Sequence, residues 1–421
     1  MADTIYALSS GAPPAGIGVI RISGPLAGEA LSRMANGLPP PRSPRLRILR
    51  NGEGAALDQA LVMWFAGPNT ATGEDLAEIH CHGGRAVVAA LLAALSSIDG
   101  LREAEPGEFT RRAFSNGRID LAEAEGLADL LSAETELQRR GALLAAGGDL
   151  SRRIEGWRDR VLGLAASIEA VIDFADEDDV SLPASFSREL DELIGEIRAA
   201  SQRPATERLR DGIRVVLAGP PNAGKSSLFN ALLSDDAAIV TSEAGTTRDV
   251  LERPVSIGGV PFVLVDTAGM RDSGAGAIEE MGIERARKEV ANGHIVLWLG
   301  APDELPFGAI QISAKSDLGA GQSEGLEVSA VTGFGLSELT DMLVEKAQEI
   351  LPPVDQIAFN RRQREWAQTA AQSLVNVDTH SDLLIAAENL RAARRALDRL
   401  VGRDSTEEML DALFGRFCIG K

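Results

Sequence analysis

The sequence predicts a multidomain chain of mixed α/β and α class. An N-terminal α+β domain is followed by a helical domain in two pieces, with a doubly wound α/β domain inserted between them. Three observations carry this. The chain has 421 residues, too many for a single compact core. The hydrophobic period becomes helical at Leu121, alternates between strand and helix from about residue 211, and returns to helical after Leu351-Pro352-Pro353. Formal charge changes at nearly the same places: zero over 1–118, −9 over 119–210, −11 over 211–354 and zero over 355–421. The expected domains are 1–118, 119–210, 211–352 and 353–421, with the last segment packing back on 119–210.

In the first domain, GIGVIRISG (16–24), ALVMWFAG (60–67) and DLAEIHCHGG (75–84) read as strands closed by glycine turns, and Arg85–Leu95 as a buried helix. Leu121, Ala124, Leu127, Ala128 and Leu131 form a helical stripe. A second helix is expected over about 151–174 with Val161, Leu162, Ala165, Ile168 and Ile172 inward, and a third over about 187–202. Ile213–Ala218, Pro261–Asp266, His294–Leu299, Ala309–Ser313 and Leu326–Ser329 read as the strands of the inserted domain. Beyond it, Leu383, Leu384, Ala387, Leu390, Arg394 and Leu397 trace a stripe with the arginine at its edge.

Composition excludes several classes. Hydrophobic residues at 44% and charged residues at 25% argue against global disorder. The longest apolar run, Ala86–Leu95, is too short to span a bilayer, so no membrane partner is expected. The start, MADTIYALSS, has no basic and apolar signal pattern. Two distant cysteines, Cys81 and Cys418, exclude a disulfide scaffold and suit a reducing compartment. A net charge of −20 means that any RNA contact needs a local basic patch. Arg361, Arg362 and Arg364 with Arg391, Arg394, Arg395 and Arg399 are candidates, and a solvated helix face is the competing reading. His80-Cys81-His82 lacks a second ligand pair for a metal, and the acidic run Asp173–Asp179 lacks calcium-loop spacing.

The strongest motif is Gly219-Pro-Pro-Asn-Ala-Gly224-Lys225-Ser226, which matches GxxxxGK[ST] between an apolar strand and a helix. Such a loop turns backbone N–H groups of residues such as Asn222, Ala223, Gly224, Ser226 and Ser227 onto phosphate oxygens at a helix N-terminus. Lys225 reaches the β- and γ-phosphates, and the Ser226 hydroxyl ligates Mg²⁺. Asp266-Thr267-Ala268-Gly269 ends the next long strand, where an acid holds Mg²⁺ through water and the Gly269 N–H senses the γ-phosphate. Between them lies Thr241-Ser242-Glu243-Ala244-Gly245-Thr246-Thr247, with Thr247 placed to ligate Mg²⁺ only while the γ-phosphate is present.

With Lys315, Asp317 and Ser329-Ala330, the order and spacing resemble the five signatures of GTPases across 211–351. That resemblance implies that Asp317 pairs with guanine N1–H and N2–H, Lys315 packs along the base, and Ser329-Ala330 closes the pocket. The usual NKxD signature departs here to Ala314-Lys315-Ser316-Asp317, so the amide that would hold the base and brace the phosphate loop is missing. The residue after DTAG is Met270, which cannot orient water as a glutamine does. Asn222 and the Gly245-Thr246-Thr247-Arg248-Asp249 segment resemble the potassium-dependent branch of GTPases. This implies K⁺ held by Asn222, Thr241, Glu243 and Thr246, with Glu279 orienting the water; a solvated helix-start acid is the plainer reading of Glu279.

The start DTIYALSS, the blocks GPNTATGEDLAEIHCHGG, EFTRRAF and GRIDLAEAEGLADL, the segment DVLERP after GTTRD and the end Phe417-Cys418-Ile419-Gly420-Lys421 resemble the MnmE (TrmE) family of tRNA-modification GTPases over nearly the whole chain. The resemblance implies a cytoplasmic, GTP/GDP-binding homodimer that installs a carboxymethylaminomethyl group at carbon 5 of the wobble uridine of certain tRNAs. It implies a heterotetramer with an FAD- and NADH-using partner, MnmG. It further implies that the N-terminal domain dimerises and binds a tetrahydrofolate derivative through Arg21, Glu78, Arg118 and Lys421. Family members often carry lysine at position 118. Cys418 becomes a candidate nucleophile; cysteine usage alone favours a small buried residue. From alternation alone, Arg21 is an outward-facing strand residue. Two other functions remain open at this stage: a regulatory RNA- or ribosome-associated switch GTPase without tRNA chemistry, and a one-carbon folate enzyme with a vestigial G domain.

Overall fold

Apolar and polar residues alternate along Ile17–Ser23 and Leu76–His82, so each strand has one face for a core and one face for something else. The computed structural model describes residues 3–174, 181–204, 206–234, 238–240, 251–267, 284, 287–318, 325–353, 358–380, 382–404 and 406–421. They form two compact units, Met1–Ala128 with Asp398–Lys421, and Asp129–Leu397.

The first unit contains β1 (Thr4–Leu8), β2 (Ile17–Ser23), α1 (Ala27–Ala35), β3 (Arg45–Arg50), β4 (Ala56–Phe65), β5 (Leu76–His82), α2 (Arg85–Ser96), β6 (Leu101–Glu103), α3 (Glu108–Ser115) and the start of α4 (Leu121–Ser132). The sheet order is β3-β4-β5-β2-β1-β6, antiparallel except for the β1–β6 pair. One face presents Ile20, Ile22, Val62, Trp64, Ile79 and Cys81 to Leu31 and Met34 of α1 and to Val88, Leu91 and Leu95 of α2. Each such side chain contributes about 1.5–3 kcal/mol by leaving water. Helix α2 is not buried all round as its apolar run suggests. Only Val88, Leu91 and Leu95 are buried, because a helix laid on a sheet has one contact face. Across the opposite face run the rows Leu46–Leu61–His80–Val19 and Met63–Glu78–Arg21–Ala7, set by strand register.

The second unit begins with α5 (Glu136–Ala146), α6 (Asp149–Asp173), α7 (Phe186–Ser201) and α8 (Glu207–Asp211). Helix α5 opens with a capping box in which Thr135 and Gln138 satisfy each other's backbone N–H groups. In α6 the buried stripe is Leu150, Ile154, Trp157, Val161, Leu164 and Ile168, a strict 3–4 spacing. The expected stripe was right for Val161 and Ile168. It was rotated for Leu162, Ala165 and Ile172, because it left out Trp157, the largest buried side chain. The Trp157 ring stands edge-on to Phe359, and its Nε1–H donates to Glu196 at 3.1 Å.

The α/β layer follows: β7 (Ile213–Ala218), α9 (Lys225–Ser234), β8 (Ala238–Val240), β9 (Leu251–Ile257), β10 (Val260–Asp266), β11 (Ile295–Trp298), β12 (Ile310–Ala314), β13 (Leu326–Val328) and α10 (Leu336–Ile350). The order β13-β12-β11-β7-β10-β9-β8 is parallel from β13 to β10, with β9 and β8 added as an antiparallel edge. Five expected strands recur within a residue or two; β8 and β9 were not foreseen. Val215, Leu217, Phe262 and Leu264 form the core with Leu228 and Leu232 of α9 and Leu339 and Leu343 of α10. The chain then enters α11 (Arg361–Val375), which packs on α7, and α12 (Leu383–Leu400). Two expected stripe positions are on the outside: Leu131 is 48% and Leu384 is 64% exposed. Among the described residues no helix is long and apolar enough to cross a membrane.

The chain ends with α13 (Glu407–Phe414), whose Leu410 and Phe414 pack with Phe417 on Leu121 and Ala124 of α4. Beyond it, Gly107 N–H donates to Cys418 O at 3.5 Å and Phe109 N–H to Lys421 O at 3.2 Å. Gly420 takes φ +90, and a Cβ there would lie 2.2 Å from Leu8 O. Only glycine fits such a close approach at positive φ. Gly420→Ala is expected to detach the C-terminal tail. Hydrogen exchange should rise at 417–421 and at Phe109, with a loss of about 1–3 kcal/mol in unfolding free energy.

Candidate functional site

Strand β7 has β10 on one side and β11 on the other, so the loop after it opens at the point where strand order diverges. That is where doubly wound sheets bind ligands. The loop needs unusual backbone: φ is +147 at Gly219, +60 at Asn222 and +101 at Gly224. Asn tolerates the left-handed region better than most residues, and such turns converge N–H groups on an anion. Lys225 is 4% exposed, and its ammonium donates to Gly219 O at 3.0 Å and Pro220 O at 2.8 Å. These carbonyls hold the charge under the loop, where a phosphate would meet it. Ser226 and Ser227 are exposed at the N-terminus of α9, and Ala223 is half-buried in the loop. Asp266 is buried at the end of β10, and Thr267 Oγ1 donates to Leu217 O at 2.8 Å. A serine hydroxyl and a carboxylate are hard oxygen donors and fit Mg²⁺.

At the far end of the crevice Lys315, at φ +66, donates from Nζ to Asn222 O at 2.7 Å, so its stem crosses toward the loop. Ser329, fully buried, donates from Oγ to Asp317 Oδ1 at 2.7 Å, and the half-buried Ala330 follows it in the chain. Sequence reasoning assigned Ser329 only a closing role; its orientation of Asp317 emerges from the fold of the β13–α10 turn. Thr241, Ser242, Glu243, Ala244, Gly245, Thr246, Thr247, Ala268, Gly269 and Glu279 lie outside the described residues.

The open face of the N-terminal sheet carries a second constellation. Arg21 and Glu78 are directly opposed on β2 and β5, and Arg21 Nε donates to Glu78 Oε1 at 2.9 Å. Glu78 Oε2 lies 3.2 Å from His80 Nε2. Sequence reasoning weighs His80 only as a metal ligand and rejects it; its i+2 spacing from Glu78, which places both on one strand face, is the signal that joins it to this site. Arg118 is exposed just past α3, its Cγ 3.2 Å from the Cβ position of Gly73. The neighbouring Asn116 donates to Thr72 O at 2.7 Å, and Thr72 in turn meets Ser23, two residues along β2 from Arg21. Gly420 abuts Leu8, adjacent on β1 to Ala7, the strand partner of Arg21. Thus the tail bearing Cys418 and Lys421 meets the end of β1 opposite Ile20, while Arg118 lies toward the other, Ser23 end of β2. Cys418 is exposed.

An ion cluster supports this end of the sheet. Arg112 donates to Glu74 (3.1 Å), Asp3 (2.8 Å) and Glu108 (3.0 Å), and Arg102 also binds Glu108 and Asp3. Burial raises the Glu108 pKa, but hydrogen bonds from Arg102, Glu105 N–H and Arg112 more than offset it and hold the carboxyl below its usual range. Of the arginines considered for RNA, Arg391 pairs with Glu169, Arg395 with Glu388 and Arg399 with Asp404, all at exposed surface where such pairs are weak.

A phosphate loop at the switch point of a doubly wound sheet marks a P-loop nucleotide-binding protein, here joined to an α+β domain and a set of helices. Residues 4–118 match the family model for the GTP-binding protein TrmE N-terminus, and residues 121–418 match that for the MnmE helical domain. The tRNA modification GTPase MnmE of Erythrobacter litoralis is 57% identical over 423 residues, covering all of both chains. That of Novosphingobium aromaticivorans is 54% identical over 437 residues, again covering both completely. The crystal structure of the G domain of the T. maritima FeoB iron transporter covers 32% of this chain and 99% of its own at 24% identity, with a TM-score of 0.24, too low to bear on function. The chain belongs to the MnmE (TrmE) family of tRNA modification GTPases.

Two outcomes test the geometry. Ser329→Ala should free Asp317 and weaken guanine-nucleotide binding about three- to tenfold, read by calorimetry, with unfolding unchanged to within about 1 kcal/mol. Glu108 has a depressed pKa, so its stabilisation is present above its unfolded pKa and is lost as pH falls through the folded one. Wild type should therefore exceed Glu108→Gln in thermal stability at pH 7, and the gap should narrow as pH falls below the ordinary glutamate range.

Proposed function

We propose that this chain hydrolyses GTP to drive modification of carbon 5 of a tRNA wobble uridine, installing a carboxymethylaminomethyl group from a folate one-carbon unit with an FAD-dependent MnmG partner. The observation that carries the GTPase half is the buried Lys225 beneath a left-handed phosphate loop, with Asp317 oriented by Ser329 at the base end. Ser226 and Thr247 would ligate Mg²⁺, which neutralises phosphate charge as the γ-phosphoryl group leaves. Asn222, Thr241, Glu243 and Thr246 would hold K⁺, and Glu279 would orient the water. Only Asn222 of these five lies among the described residues; its positive φ suits a loop that turns side chain and amides toward phosphate.

The folate half is supported by the Arg21–Glu78–His80 row. A carboxylate accepts from the amino and N–H groups of a pterin, and arginine binds a carboxylate tail. Arg118 and Lys421 would complete the site, with Cys418 beside it as nucleophile. Exposed Ile17, Leu46, Ile48 and Leu61 lie on the same face. A homodimer formed through this domain would cover them, which is the reading we favour for assembly. We divide the chain into a folate and dimerisation domain (1–118), a discontinuous helical domain (119–210 and 353–421) and a G domain (211–352). The TrmE-like first domain favours modification chemistry over a pure switch GTPase.

Replacing K⁺ by Na⁺ should slow GTP turnover at least about tenfold at constant ionic strength; equal rates would remove the cation from the mechanism. Arg21→Ala should weaken binding of a reduced folate at least about tenfold, while GTP turnover stays within about twofold of wild type. Wobble-uridine analysis of tRNA from cells lacking the gene tests the reaction as a whole.

A further inference from the structure

We propose that Arg153, Arg203 and Arg364 form a phosphate-binding site, where α6, the turn after α7 and the start of α11 meet, and that it takes a backbone phosphate of the tRNA. The inference rests on the tRNA reading above and adds a place on the chain where the RNA is held.

The three arginines are far apart in sequence and are brought together by packing. Arg153 and Trp157 are one turn apart on α6, and Cζ of Arg153 lies 5.2 Å from the centre of the Trp157 ring. The same ring meets Phe359, two residues before α11, edge-on. Phe359 O accepts from Thr206 N–H at 3.2 Å, and Arg364 Nη2 donates to Arg203 O. The first turn of α11 is thereby tied to the turn after α7. All three arginines are half-buried.

Their charge is not cancelled within the protein. Arg153 makes no ion pair or hydrogen bond among the described residues. Burial, then the nearby Arg203 guanidinium, lowers its pKa from the usual arginine value, and Glu196 offsets only part of this. Glu196 is itself engaged, accepting from Trp157 Nε1 at 3.1 Å and from Arg160 at 2.7 Å. The Nε of Arg364 is buried with no hydrogen-bond partner among the described residues. Like charges gathered together and left short of acceptors raise the energy of the empty site. A phosphate relieves it, because its oxygens match the paired N–H groups of a guanidinium.

The net charge of the chain selects where such a site can work. At −20, the long-range field opposes a polyanion, so RNA has to be held by short-range cations that lack a carboxylate of their own. Arg391, Arg395 and Arg399 each face a carboxylate on the exposed surface. Arg153 does not, and Arg364, which the sequence offers for RNA, stands in the same set.

The test measures binding of an unmodified tRNA transcript to the full-length protein over a range of salt concentrations, with wild type, Arg153→Gln, Arg364→Gln and, outside the set, Arg391→Gln. The first two variants should each weaken binding about three- to tenfold and lower the slope of log K against log salt by about one, as loss of one phosphate contact requires. Arg391→Gln should stay within about twofold of wild type with its slope kept. Arg153→Gln should also hold or raise the melting temperature, because it removes a repulsion; an arginine that serves only the fold would lower it. Wild-type tRNA binding by Arg153→Gln, or an equal loss in Arg391→Gln, overturns the proposal. If Arg364→Gln does not fold, Arg153→Gln decides alone. Titration with inorganic phosphate separates the sources: a loss of phosphate binding in Arg153→Gln with tRNA binding intact places a free anion there and overturns the RNA assignment. Should wild type bind no tRNA, the tRNA reading itself falls, and the proposal with it. That result is distinct from wild-type binding that the variants leave unchanged.

Discussion

A lysine ammonium held almost out of water has to be surrounded by oxygens, and that requirement organises the nucleotide crevice. Lys225 is 4% exposed and takes two loop carbonyls as acceptors. Turning those carbonyls down onto the lysine turns the intervening N–H groups up, and the backbone can do so only through left-handed or glycine-only conformations at Gly219, Asn222 and Gly224. At Gly219 a Cβ would stand 3.0 Å from the Leu299 backbone, so the loop also closes tightly on the strand end beside it. The rest of the crevice is fitted to this loop: Lys315 reaches across to its Asn222 carbonyl, and the β12 terminus places Ala314 against Gly224.

The N-terminal unit uses a different device. Its open sheet face places acid and base by strand register, so that Glu78 meets Arg21 across one strand gap and His80 along its own strand. Such half-exposed pairs add little to stability. Their value is geometric: a charged row is held rigid on a sheet whose other face is a packed core. The loop and helix that border the row are tied by the Arg112–Glu74–Asp3–Glu108 cluster, which fixes the approach of α3 and, through backbone hydrogen bonds, of the chain's last residues.

Much of this was legible in the sequence, for reasons that differ by element. The phosphate loop is readable because its chemistry demands particular residues at consecutive positions. The parallel strands are readable because burial on both faces makes them apolar throughout. The rotation of α6 was not, since several apolar stripes fit one helix and only the packing of Trp157 against Phe359 selects among them. Leu131 and Leu384 lie on solvent for the same reason: period shows that a helix has an apolar side, not where its neighbours end. Strands β8 and β9 carry edge positions with weaker patterning and escaped notice.

The sequence by itself determined the order of the units, the loop that would hold phosphate, and the absence of an amide at position 314. These are local properties: they follow from which side chains and which φ values a short segment can adopt. Only the tertiary structure decided that Ser329 orients Asp317 and that the C-terminal tail lies along α3 and the end of β1. Those contacts join residues from 12 to more than 300 positions apart. The energy that selects them comes from burial and hydrogen bonding across packed elements, which no local pattern encodes.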